Sequence, residues 1–104
     1  MTNNLNDKVA VITGAAKGIG FATAELFLKH GAKVAFCDLH KGDIVKARKR
    51  LEKFGELFAE PADVRKEEDV RRFSKEVINR FHRVDILVNN AGILPRRGEF
   101  ITHR

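Results

Sequence analysis

A chain of 104 residues has room for one hydrophobic core and no second domain, and 43% apolar residues is a globular balance that excludes a disordered or low-complexity segment. Twenty Lys and Arg against fourteen Asp and Glu leave a net charge of +6, but the excess is spread over the helical segments, which argues against a dedicated nucleic-acid surface. No apolar run approaches the ~20 residues of a membrane span, and the single cysteine, Cys37, excludes an intramolecular disulfide or a thiolate metal cluster.

The chain starts polar, Met1 to Lys8, without a signal-peptide core, so the expectation is a cytoplasmic protein with no membrane partner. Its first strand is read at Val9 to Ile12, apolar throughout and therefore buried on both faces, as in a parallel sheet. A turn with three glycines follows. From Ile19 to His30, the residues Ile19, Ala22, Leu26 and Phe27 recur at helical spacing, and Gly31 stands where a left-handed C-cap belongs. The second strand, Val34 to Cys37, is closed by Asp38.

Ile44, Ala47, Leu51 and Phe54 mark the next helix, with Asp43 placed to cap its start and Gly55 to end it. A third strand, around Leu57 to Ala62, carries Pro61, whose missing N–H confines it to an edge or a strand end. Glu67, Glu68 and Asp69 favour the start of a third helix, with an inner stripe of Val70, Phe73, Val77 and Phe81. Val84 to Val88 makes a fourth strand, and residues 95–104 read as a tail without usable period. The alternation predicts an α/β fold with three helices and a parallel sheet of strand order 3-2-1-4.

The chemistry concentrates at the first turn, Thr13-Gly14-Ala15-Ala16-Lys17-Gly18-Ile19-Gly20. Gly14 permits the tight exit from the strand, Gly18 the approach of a pyrophosphate, and Gly20 close packing of helix on strand. The free N–H groups from Ala16 through Lys17, Gly18, Ile19 and Gly20 then face the phosphates at a helix N-terminus. Asp38, eighteen residues past Gly20, stands where a dinucleotide-binding unit places an acid for the adenosine ribose hydroxyls. Its charge opposes the extra phosphate of NADP. One charge-assisted hydrogen-bond pair of ~1.5–3 kcal/mol is at least about tenfold in affinity, which favours NAD. Lys17 in the loop, with His40 and Lys41 past Asp38, argues the other way and keeps NADP open.

The turn resembles the Thr-Gly-x-x-x-Gly-x-Gly of the short-chain dehydrogenase/reductase family, and Asn89-Asn90-Ala91-Gly92 resembles that family's Asn-Asn-Ala-Gly. Between them Asp63-Val64 is similar to the Asp-Val pair that follows its third strand. The likeness runs from about Asp7 to Leu94. It implies a partial Rossmann-type domain spanning residues 1–104, with its core at 7–94. It also implies that Asp63 accepts from the adenine amino group and that Val64 donates a backbone N–H to the ring. Asn90, Ala91 and Gly92 would then lie at the nicotinamide-side ribose. For Asn89 a structural role at the strand end is the better reading.

The family moves a hydride between a nicotinamide and an alcohol or carbonyl, using a Tyr-x-x-x-Lys dyad with serine and asparagine helpers. This chain contains no tyrosine, so the expectation is a truncated front half of an NAD(P)-dependent oxidoreductase, without catalytic residues and inactive alone. An alternative is a non-catalytic module that binds NAD or another adenine nucleotide and is completed by another chain. Arg96, Arg97 and Arg104, with only Phe100 to stack, make a weak case for nucleic acid. Ile86, Leu87 and Val88 on an open edge lead to the further expectation of self-association or of a complementing C-terminal half.

Overall fold

The computed structural model describes residues 4–90. Ala91, Gly92, Arg96, Arg97, Phe100, Arg104 and the predicted tail therefore lie outside the described residues.

Four parallel strands form one sheet in the order β3-β2-β1-β4, comprising β1 (Val9–Thr13), β2 (Lys33–Asp38), β3 (Leu57–Pro61) and β4 (Ile86–Asn89). Three helices connect them, α1 (Gly18–Lys29), α2 (Lys41–Leu51) and α3 (Glu67–Phe81). All five residues of β1 are buried because the strand is covered from both sides. Ala10 and Ile12 pack with Val34 and Phe36 under α1 and α2, whereas Val9 and Val11 pack with Ala35 and Cys37 under α3. This is the expected partial Rossmann-type sheet in three layers. Pro61 closes the edge strand β3, where no partner needs its missing N–H.

Helix α3 buries the predicted stripe of Val70, Phe73, Val77 and Phe81. It stops at His82, a non-glycine residue with φ of 69° whose N–H donates to the carbonyl of Ile78 at 2.8 Å. Helix α1 ends as expected, with Gly31 N–H on Leu28 O and Ala32 N–H on Phe27 O, both at 3.0 Å. Its buried face is not the predicted one. Gly20, Ala24 and Leu28 point into the core, while Ile19 is 77% and Leu26 53% exposed. Gly20 lies against the glycine turn, where a Cβ would collide with backbone, and it shares the inward face with Ala24 and Leu28.

Helix α2 also departs from expectation at both ends. It begins at Lys41 behind His40 with no side-chain cap, so Asp43 sits inside the first turn and forms an ion pair with Lys17 at 3.3 Å. A short 3-10 turn, Glu52–Phe54, extends it, and Gly55 is extended (φ 160°) instead of left-handed. There the absent side chain is what matters, because a Cβ on Gly55 would press on Leu28 at 3.3 Å.

At the start of β4, Asp85 ties the strand to β1. Its Oδ2 accepts the Val9 N–H and its own N–H donates to Val9 O, both at 2.8 Å. No described helix is long and apolar enough to cross a membrane.

Candidate functional site

The registers Thr13↔Cys37, Thr13↔Asn89 and Asp38↔Pro61 bring the carboxyl ends of all four strands to one rim of the sheet. A cleft of about 390 Å³ opens there, lined by Gly14, Cys37, Asp38, Leu39, Ala62, Asp63, Val64, Arg65 and Asn90. Crevices at the strand ends of parallel sheets are where such folds hold ligands. Every predicted site residue among the described ones lies on this cleft or on the turn beside it.

The turn leaves β1 through Gly14, at φ 67°, whose N–H donates to the Cys37 carbonyl at 2.8 Å. Gly20 is pressed against it. A Cβ there would stand 2.9 Å from Ala15 Cα and 2.7 Å from Asn90 Nδ2, and nearer still to Gly14 O. Gly18 meets open space and contributes a φ of 61° at the first residue of α1. No side chain caps the start of α1, which leaves its positive end toward the turn.

Asp38 is the link between the turn and β2. One carboxylate oxygen accepts the N–H of Ala16 at 3.0 Å and the other accepts the N–H of Leu39 at 2.8 Å. The acid therefore lies in direct contact with the glycine turn, and the Ala16 N–H, expected among the free phosphate donors, is taken up by it. Cys37 beside it is buried, and burial pushes its thiol up to about 12, so it stays protonated and inert at neutral pH.

At the far end of the cleft, Arg65 grips the Asp63 carboxylate through Nε at 3.0 Å and a terminal nitrogen at 2.9 Å. These bonds, with the Arg65 backbone N–H, hold the Asp63 carboxyl down at about 2. Both of its oxygens are engaged, so a ligand amino group would share them with Arg65. Asp69, in the first turn of α3, accepts the Asp63 N–H at 2.9 Å and a bond from Arg72 at 3.2 Å. Arg72 also donates to Pro61 O at 2.9 Å. The shape of the Asp63-Val64 turn thus depends on Arg65, Asp69 and Arg72, none of which the sequence reading marked as site residues. A carboxylate six positions past Asp63 with an arginine three further on was the available signal.

Near β4 the predicted Asn pair divides its work. The Thr13 hydroxyl donates to Asn89 Oδ1 at 3.0 Å and accepts the Asn90 N–H at 3.1 Å. Asn90 Nδ2 donates to Gly14 O at 3.0 Å, fastening β4 to the glycine turn. Ala91 and Gly92, expected to continue this wall, lie outside the described residues. No group of three or more His, Cys, Asp or Glu suited to a metal occurs among the described residues.

The "short chain dehydrogenase" family model matches residues 8–103. Among curated relatives, 15-hydroxyprostaglandin dehydrogenase [NAD(+)] of Mus musculus is 45% identical over 94 residues, covering 86% of this chain and 35% of that protein. Xanthoxin dehydrogenase of Arabidopsis thaliana is 41% identical over 95 residues, covering 88% and 33%. The chain spans about a third of the length of these relatives. Among solved structures, NAD+-bound xylitol dehydrogenase superposes with a TM-score of 0.78 at 30% identity, covering 81% of this chain and 33% of that one. The RhlG/NADP active-site complex of Pseudomonas aeruginosa gives 0.78 at 36% identity, covering 90% and 38%. The family match takes in every strand and helix that frames the cleft, and this chain accordingly belongs to the short chain dehydrogenase family.

Proposed function

We propose that residues 7–94 form the dinucleotide-binding core of an NAD(P)-dependent oxidoreductase that moves a hydride between a nicotinamide and an alcohol or carbonyl, and that NAD is its preferred cofactor. The observation that carries this reading is the contact between Asp38 and the Ala16 N–H, which sets a carboxylate against the glycine turn at the uncapped start of α1. The residues present fit the cofactor. Amides of the turn from Lys17 to Gly20 would face the pyrophosphate, Asp38, with Ala16 held on it, the adenosine ribose, and Asp63 with Val64 the adenine. Asn90, followed by Ala91 and Gly92, would lie toward the nicotinamide side.

When bound, the nicotinamide supplies the hydride acceptor or donor. The chain's own part is to orient it: Asn90 pins the turn to β4, and Arg65, Asp69 and Arg72 hold the adenine end in shape. A tyrosine for proton transfer must come from outside these 104 residues, because they contain none. Two relatives support an NAD or NADP cofactor without choosing between them, one structure being NAD+-bound and another an NADP complex.

Titration of the purified chain with NAD and with NADP tests the proposal, with Asp38→Ala and Asp38→Asn alongside. NAD should bind at least about tenfold more tightly than NADP, and both variants should erase that margin. Tighter binding of NADP by the unaltered chain would overturn the cofactor assignment, and binding of neither would overturn the dinucleotide reading.

A further inference from the structure

We propose that Asp43 is a specificity-determining residue of the cofactor cleft, acting by engaging the Lys17 ammonium and so keeping it from serving a 2′-phosphate. This inference rests on the reading of the glycine turn and Asp38 as a dinucleotide site. Lys17 is the residue after Ala16, whose N–H is held by Asp38, so its backbone is fixed beside the point where a ribose would sit. A lysine there carries a mobile charge on a four-carbon stem and is a ready phosphate ligand. It is paired instead, at 3.3 Å, with Asp43 Oδ2 in the first turn of α2. The lysine side chain is 74% exposed and the aspartate 27%, so the carboxylate is the more enclosed partner and the ammonium the more solvated one. To reach a phosphate, Lys17 would have to leave Asp43 behind as a bare negative charge, in addition to Asp38.

Two other basic groups follow Asp38 closely in the chain, His40 as the residue before α2 and Lys41 as its first residue. They make the control necessary, since a gain in NADP affinity could also come from them. Asp43→Asn is the informative change. It removes the charge and leaves the shape.

The affinities of NAD and NADP are to be measured for the unaltered chain, Asp43→Asn, Asp43→Glu and the double variant Lys17→Met with Asp43→Asn, at low and high salt. Asp43→Asn should tighten NADP by about two- to fivefold, the range open to one exposed ion pair, and leave NAD unchanged. Asp43→Glu should keep the original ratio, and high salt should erase the difference. The double variant should lose the gain. A gain that survives removal of Lys17, or equal shifts for both nucleotides, overturns the proposal. Intact NAD binding with no NADP response to Asp43→Asn overturns it alone, whereas failure of the unaltered chain to bind either nucleotide overturns the dinucleotide reading and this one with it.

Discussion

Gly20 carries more of the site than its size suggests. Two of the three atoms that a Cβ would meet belong to the backbone of the glycine turn, and backbone cannot swing aside as a side-chain tip can. Gly20→Ala should therefore lower the unfolding free energy by about 1–3 kcal/mol and weaken nucleotide binding with it, as urea denaturation and titration will show. Acid sensitivity belongs to the same scale. Asp63 is held at about 2 by Arg65, Asp69 is lowered by the Asp63 N–H, and Asp85 is lowered because bonds from Arg83 and Val9 outweigh the opposing effect of burial. Each carboxylate binds its proton more weakly folded than unfolded. Their stabilisation is present above the unfolded carboxylate range near about pH 4 and is lost as the pH falls through each lowered folded value, which for Asp63 is about 2. Circular dichroism against pH should show this decline, shallower in Asp63→Asn.

At the level of elements, the contrast between α1 and α3 explains what periodicity could and could not reveal. In α3 charged residues separate Val70, Phe73, Val77 and Phe81, so only one face can be buried, and the sequence stripe was correct. Helix α1 carries Ile19, Phe21, Ala22, Ala24, Leu26, Phe27 and Leu28, apolar on every side. A period alone cannot choose among such faces. Leu28→Ala should cost about 2–5 kcal/mol in urea denaturation, because Leu28 is buried beside Gly55, while Leu26→Ala should stay within about 0.5 kcal/mol. Equal costs would contradict the helix rotation.

For the whole molecule, the open question is the edge of the sheet. Among the described residues β4 pairs only with β1, and Ile86, Leu87 and Val88 on it are half-buried. An apolar strand with one free edge pairs with another chain or with more of its own. Sedimentation velocity of the purified chain should show concentration-dependent self-association, and a monomer at all concentrations would count against it.

Local composition alone determined the element order, the edge position of Pro61, the inner face of α3, and the convergence of the glycine turn with Asp38, since strand–turn–helix units have few ways to stack in a parallel sheet. The rotation of α1, the pairing of Lys17 with Asp43, the Arg65–Asp63 grip and the Asp69 bond to the Asp63 N–H were decided only in three dimensions. The pairings depend on which of several chemically equivalent side chains lies within hydrogen-bond reach, and the rotation of α1 on the fit of Gly20 against the glycine turn. That distance is set by how helices settle on the sheet, and spacing along the chain marks candidate partners without choosing among them.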